Sequence, residues 1–300
     1  MKKLKAYIRL TRPANLPTAV ADIIAGAAVS TALIMNSGGL MPGSRELVAQ
    51  VVLLSMASVL LYASGVVLND YFDRGIDAVE RPERPIPSGI VAPMAAAVFG
   101  FTLMGLGVFT GFLVSPLSGI LGVILAVSIL SYDAWAKRNT TLGPLNMGLC
   151  RGLNLLLGMS LFGEVQLWWM AIIPVLYIGA ITLISRGEVQ GKNRNHILIA
   201  FFLYLTVFVF LTGLNNMGQV SFVFVLPFLV GFAVMTMVPL MKAYRQNTPE
   251  NIRKAVRAGV ISLILLDACI AVIFAGWRAG LSILVLLPVS LFLSRQFAVT

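Results

Sequence analysis

Residues 197–213 read ILIAFFLYLTVFVFLTG, seventeen positions without one charged side chain. A run this long and this apolar needs a solvent other than water, because a spanning helix takes about 20 mostly apolar residues. Backbone amides in hydrocarbon must be satisfied within the segment, which leaves helices or a closed barrel. Barrel strands alternate apolar and polar over about 10 residues. The run at 197–213 is continuous, so it reads as a helix. The rest of the chain agrees: of 300 residues, 58% are hydrophobic and only 11% charged, with a mean hydropathy of +0.91, against about 25% charged in a soluble domain. Comparable runs occur at roughly 16–36, 47–69, 91–113, 117–132, 142–162, 166–184, 220–241, 257–276 and a short 280–294. The expected fold is all-α: a polytopic membrane bundle of nine to ten transmembrane helices around a central cavity, in one domain over 1–300.

The basic residues test that count. With the N-terminus placed on the cytoplasmic side, nineteen of the 22 Lys and Arg fall in inner segments. Only Arg45 and Arg278 fall outside, and Arg151 lies within a helix. This is a positive-inside distribution. It accounts for the net charge of +10 without a nucleic-acid partner and points to a multi-pass protein of the cytoplasmic membrane, with its N-terminus and polar loops inside. The first apolar run is long, contains Asp22 and lacks a small-residue cleavage site, so no cleavable signal is expected. Cys150 and Cys269 fall in apolar helices and read as buried small residues, not as a disulfide or a metal pair. The lone His196 falls in a loop and reads as interfacial.

One stretch breaks the pattern. Val66 to Ile90, VVLNDYFDRGIDAVERPERPIPSGI, packs Asp70, Asp73, Asp77, Glu80 and Glu83 into fourteen residues, while the whole chain has twelve acids. Asn69, Asp73 and Asp77 are four apart and Asp70 is seven before Asp77, so helical geometry puts them on one face. Aligned carboxylates repel one another, and a divalent cation relieves the repulsion. Oxygen donors of this kind suit magnesium, which takes one or two carboxylates together with substrate phosphates. Arg81 and Arg84 follow on a proline-stiffened loop, where guanidinium groups can grip phosphate oxygens. The plainer alternative is a mixed-charge loop that pairs with itself and only anchors topology.

On these residues the sequence resembles the UbiA superfamily of intramembrane prenyltransferases. NDYFDRGID fits that family's NDxxDxxxD motif, and RPIPSG fits the stretch that follows it. Arg12-Pro13-Ala14-Asn15 is similar to the RPxN preceding the family's first helix, and Tyr132 to Lys137 to its tyrosine–lysine element. The resemblance implies magnesium-dependent transfer of a prenyl group from a polyprenyl diphosphate to a hydrophobic, commonly aromatic, acceptor within the membrane lipid. It further implies that Asp70, Asp73 and Asp77 hold Mg2+ and that Asn69 and Tyr132 contact the substrate. Arg81, Arg84 and Lys137 then neutralise the leaving diphosphate.

The family's second acidic motif falls on Ile184 to Arg194, ISRGEVQGKNR. Glu188 stands for its first acid, completing the expected catalytic and metal set. Lys192 stands where the second acid belongs, so the loop would bind diphosphate directly through Arg186, Lys192 and Arg194. SRGEVQG is most similar to the EboC branch, associated with secondary-metabolite precursors. The alternative implied is a catalytically impaired relative that binds or translocates a lipid or such a precursor. Charges inside a membrane cost about 3 kcal/mol or more. Arg12, Asn15 and Asp22 at the first helix, and Asn146, Arg151 and Asn154 on the fifth, therefore read as the acceptor end of the cavity. An equal alternative is a clip in which Asp22 or Asp267 pairs with Arg151.

Overall fold

The computed structural model describes residues 2–39, 41–189, 191–218 and 220–296. All regular structure among them is helical: α1 (Lys2–Leu10), α2 (Leu16–Asn36), α3 (Ser44–Phe72), α4 (Arg74–Glu80), α5 (Pro93–Val114), α6 (Pro116–Ala134), α7 (Leu142–Met159), α8 (Ile172–Ser185), α9 (Arg194–Leu214), α10 (Phe222–Arg245), α11 (Pro249–Ala275), α12 (Trp277–Leu284) and α13 (Leu286–Gln296). Ten runs among the described residues are long and apolar enough to cross a membrane, in the order expected from the apolar segments. Proline marks several starts, since its missing N–H is unneeded in the first turn: Pro93, Pro116 and Pro249 open α5, α6 and α11. The Ser115 hydroxyl accepts from the Ser118 N–H at 3.0 Å and the Thr248 hydroxyl from the Asn251 N–H at 3.3 Å, which caps two of these helices.

Besides α11, which starts at Pro249 and not at 257, two segments differ from the sequence reading. The last span is longer than 280–294. It begins at Trp277 and runs twenty residues, as α12 followed directly by α13. Arg278 interrupts the apolar pattern, but its guanidinium stacks on the Trp277 ring at 5.5 Å, so the helix tolerates it. Ser290 of α13 donates to the Ala14 carbonyl at 2.8 Å, tying the last span to the start of α2. The second difference is α1, a short basic helix ahead of the first span. It buries Ala6 and Leu10 against Val67, Ile86, Val91 and Ala96 and leaves Leu4 exposed.

Two apolar clusters share α2 and α7 as a common wall. Ala21, Ala25 and Val29 of α2 join Leu155 and Met159 of α7 on one side, with α8 to α11. Ile23 and Ala27 join Leu153 and Leu157 on the other, with α3, α5 and α6. Helix α11 is the most enclosed, with an unbroken buried run from Ser262 to Phe274. Lipid offers little drive to pair helices, so close backbone approach through small residues carries much of the contact. A Cβ on Gly158 would stand 2.6 Å from the Ile23 carbonyl oxygen, and one on Gly26 would meet backbone atoms of Leu155 to Met159. Gly158→Leu should therefore push α2 and α7 apart and cost about 1–3 kcal/mol, the range for overpacking. Thermal unfolding in detergent should show a fall of several degrees, whereas Gly105→Ala, where a Cβ meets nothing within 4 Å, should leave the midpoint unchanged or raised.

Candidate active site

The acidic motif stands at the end of α3. Its i to i−4 hydrogen bonds continue through the break: Asp73 N–H donates to the Asn69 carbonyl at 2.9 Å and Asp77 N–H to the Asp73 carbonyl at 2.9 Å. At 3.6 residues per turn the four positions fall within an arc of about 100°, and their partners divide that arc into two stripes, Asp70 and Asp77 on one edge and Asn69 and Asp73 on the other. Each stripe has its own cation. Nη1 of Arg84 reaches Asp77 Oδ2 at 2.6 Å and Asp70 Oδ1 at 3.1 Å. Arg12 reaches the same Asp70 oxygen at 2.7 Å. On the other stripe, Lys137 meets Asp73 at 2.6 Å and Asn69 donates to Asp133 Oδ1 at 2.8 Å. Arg12 makes its contact from a left-handed backbone, φ 46°, a conformation that costs a non-glycine residue of order 1–3 kcal/mol.

Asp70 and Asp77 thus present oxygens to a single nitrogen, a spacing that one compact cation can bridge. This fits magnesium held by two carboxylates and completed by substrate phosphate. Asp73 faces the other stripe, and among the described residues no three acidic, His or Cys side chains lie close enough to hold an ion by themselves. The expected four-carboxylate metal set of Asp70, Asp73, Asp77 and Glu188 is therefore not brought together.

Behind the motif opens a cavity of about 290 Å³, lined from α2, α3, α6, α7, α8 and α11. Arg12, Asn15, Asn69, Tyr132, Arg151 and Asn154 of the expected residues line it, together with apolar groups such as Leu125, Ile129, Ile178 and Leu263. Asn146 is not on its wall; it accepts from Ser128 at 3.0 Å. Asp22 is only 1% exposed and lies behind the wall. Arg151 Nε is 3.2 Å from Asp22 Oδ2, Asn154 donates to that oxygen at 2.7 Å, and Arg151 also donates to the Thr18 carbonyl at 3.0 Å. Asp267 of α11 adjoins Asp22. The clip and the cavity wall are thus the same residues, with Arg151 and Asn154 facing inward and Asp22 holding them.

The second loop lies apart from this lining. Arg186, Lys192 and Arg194 are exposed, and Gln190 falls outside the described residues. Lys192, like Arg12, has a positive φ, 58°. The loop is pinned by Asn193, whose N–H donates to Asn247 Oδ1 at 3.0 Å and whose amide donates to the Ile184 carbonyl at 2.8 Å. Glu188 is half-buried, with Arg253 and Arg81 its nearest counter-charges. Burial raises its carboxyl above the ordinary value, and the two arginines pull it back. Arg81 is therefore a neighbour of the second loop, while Arg84 serves the first motif.

One residue of the site escaped the sequence reading. Asp133 lines the cavity, is 3% exposed, and has its Oδ2 without a hydrogen-bond partner. Its signal was present: it follows Tyr132 directly and stands four residues before Lys137, the spacing of helical neighbours.

Ten apolar helices long enough to span a membrane among the described residues, packed round a cavity beside clustered aspartates and arginines, define a polytopic membrane protein. The chain belongs to the UbiA prenyltransferase family, whose sequence profile matches residues 24–257. It is 34% identical over 183 residues to the digeranylgeranylglyceryl phosphate synthase of Methanoregula boonei, covering 61% of this chain and 59% of that protein. It is 27% identical to the one from Methanoculleus marisnigri, over 90% of this chain and 99% of that protein. For several such curated relatives the matched stretch spans between about half and three-fifths of their length. Among solved structures, a UbiA homologue from Aeropyrum pernix superposes with a TM-score of 0.67 at 16% identity, covering 86% of this chain and 97% of that one. A homologue from Archaeoglobus fulgidus, bound to GPP and Mg2+, gives 0.66 at 13% identity, with 88% and 99% covered.

Two outcomes follow from this geometry. Asp77→Asn should weaken Mg2+-dependent binding of a prenyl diphosphate at least tenfold in a titration, while Glu188→Gln should change it less than threefold. Arg151→Met should leave Asp22 buried and uncompensated, a loss of about 3–5 kcal/mol. Adding Asp22→Asn should restore part of the thermal midpoint, a non-additivity expected of direct partners.

Proposed function

We propose that this chain transfers a prenyl group from a polyprenyl diphosphate to the hydroxyl of a glycerophosphate-type lipid acceptor, within one domain of the cytoplasmic membrane. The observation that carries the reading is the double stripe of Asn69, Asp70, Asp73 and Asp77, each acid already matched by a cation, at the head of an apolar cavity. The acceptor class rests on the relatives, several of which are named for digeranylgeranylglyceryl phosphate. It replaces the aromatic acceptor expected from the resemblance. The orientation, with the motif on the cytoplasmic side, rests on the basic residues.

Mg2+ bound by Asp70 and Asp77 would supply the charge that stabilises a leaving diphosphate. The remaining work falls to the chain. Arg84 and Arg12 grip the two carboxylates and would be the cations nearest an arriving phosphate. Lys137 takes the same position on the other stripe. Tyr132 and Asn69 border the reacting end, and the apolar wall keeps water from the allylic carbon. At the second loop Arg186, Lys192 and Arg194 offer positive charge to phosphate oxygens.

A second reading, binding or translocation of a lipid without turnover, is favoured by one observation: the second loop holds a single carboxylate, Glu188, near Arg253 and Arg81. The likeness of SRGEVQG to the EboC branch, and with it a secondary-metabolite precursor as ligand, belongs to that reading. The two part in one assay. Full-length protein in detergent is given radiolabelled geranylgeranyl diphosphate, geranylgeranylglyceryl phosphate and either Mg2+ or EDTA. Diphosphate release that needs Mg2+ and falls at least a hundredfold in Asp77→Asn is the expected result. Tight donor binding without release from geranyl, farnesyl or geranylgeranyl diphosphate would replace catalysis with the carrier.

A further inference from the structure

Asp133 is an unusual carboxylate. It sits at the end of α6, on a cavity wall that also carries Arg12 and Arg151 among mostly apolar, amide and aromatic groups. Its Oδ1 accepts from the Asn69 amide at 2.8 Å, and Oδ2 has no partner at all. Buried polar atoms are nearly always paired, and an orphan needs a reason. The motif acids have theirs, since Arg12, Arg84 and Lys137 take up Asp70, Asp77 and Asp73. Asp22 is engaged by Arg151 and Asn154 behind the wall. Cys150, on the wall, has its thiol 3.4 Å from the Ser128 hydroxyl. Among the described residues, Asp133 is the cavity-lining carboxylate without an ion-pair partner within 4.0 Å.

Its position matches a need of the reaction. Prenylating a hydroxyl requires a group to take the hydroxyl proton as the new bond forms. The base must lie within hydrogen-bond reach of the nucleophile and close to the departing phosphate. Asp133 is bound through Asn69 to the motif, near Asp73 and Lys137, yet faces the cavity. Asn69 fixes the carboxylate through one oxygen and leaves the other free for an incoming donor.

We infer that Asp133 is the proton acceptor for the acceptor's hydroxyl, oriented by Asn69, an assignment that rests on the prenyl-transfer reading for its chemistry. The bond from the allylic carbon to the diphosphate oxygen breaks, and its electron pair leaves with the diphosphate. A lone pair of the acceptor oxygen forms the new bond to carbon. The hydroxyl proton passes to Asp133 Oδ2, from which it returns to the departing diphosphate or to water. Asn69 is a positioning residue in this step.

Two readouts test it on full-length protein in detergent. The first is turnover. Asp133→Asn should keep Mg2+-dependent release of diphosphate by solvolysis of geranylgeranyl diphosphate within about threefold, and lose transfer to geranylgeranylglyceryl phosphate a hundredfold or more, in the range for a general base. Asp133→Glu should recover part of the transfer. Release and transfer falling together would place Asp133 in the donor site and overturn the assignment, as would transfer that is unchanged. The second readout needs no turnover. The wild type should bind geranylgeranylglyceryl phosphate about tenfold more tightly than its analogue with a methyl ether in place of the free hydroxyl, and Asp133→Ala should abolish that preference. No preference in the wild type overturns the assignment even if prenyl transfer stands. A preference lost in Asp133→Ala from a protein that turns over nothing leaves the hydroxyl subsite standing and removes the prenyl-transfer reading.

Discussion

The contact between Arg151 and Asp22 joins α7 to α2 at 3.2 Å, with both side chains buried inside the bundle. Leaving one of them alone there is costly, so the two helices are held in a fixed register. One turn further on, Gly26 and Gly158 let the same helices approach backbone to backbone. The pair and the glycines act together: close approach brings Asn154 onto Asp22, and the charges forbid the helices to slide. Since α2 and α7 form the wall between the two apolar clusters, the cavity inherits its shape from this crossing.

The motif shows the same rule at the membrane boundary. Three aspartates lie within eight residues and none stands alone. Arg84 spans seven residues to bridge Asp70 and Asp77, possible because helical repeat brings i and i+7 to nearly the same bearing. The Pro82–Pro87 segment returns Arg84 toward the helix it has just left. Arg12 arrives from before α2 with a left-handed backbone, so its ion pair with Asp70 also decides how the chain enters its first span. On the proposed reading, an arriving phosphate would compete with these carboxylates for Arg12, Arg84 and Lys137.

The order and placement of the spans were legible in the sequence because continuous apolar runs admit few other structures, as at 197–213. Two parts were less so. Helix α1 is only nine residues, too short and too basic to register as a span, and its partners Val67, Ile86 and Val91 are distant in sequence. The last span was shortened because Arg278 looks like an end until the Trp277 ring is seen beneath it. In the site, spacing alone grouped Asn69, Asp70, Asp73 and Asp77 on one face. Their division into two stripes depends on Arg84 and Arg12 on one side and Asp133 and Lys137 on the other, and those neighbours come from other elements. Asp133 was passed over because it sits inside a stretch read for its Tyr and Lys.

Charge balance connects the second loop to the first. Asp70, Asp73 and Asp77 are matched one for one by Arg12, Arg84 and Lys137, so the motif begins close to neutral. A prenyl diphosphate with one magnesium ion adds net negative charge, and displacing Arg12 and Arg84 from the carboxylates does not change the total. A second loop rich in acids would then call for a second metal ion. Here the loop offers Arg186, Lys192 and Arg194 against Glu188 alone, and Arg81 is near enough to Glu188 to share its field. On the proposed reading, positive side chains at that position would supply fixed charge where a metal would supply it reversibly. Lys192 in place of the motif's second acid would then change the source of the charge that meets the diphosphate and leave its sign the same.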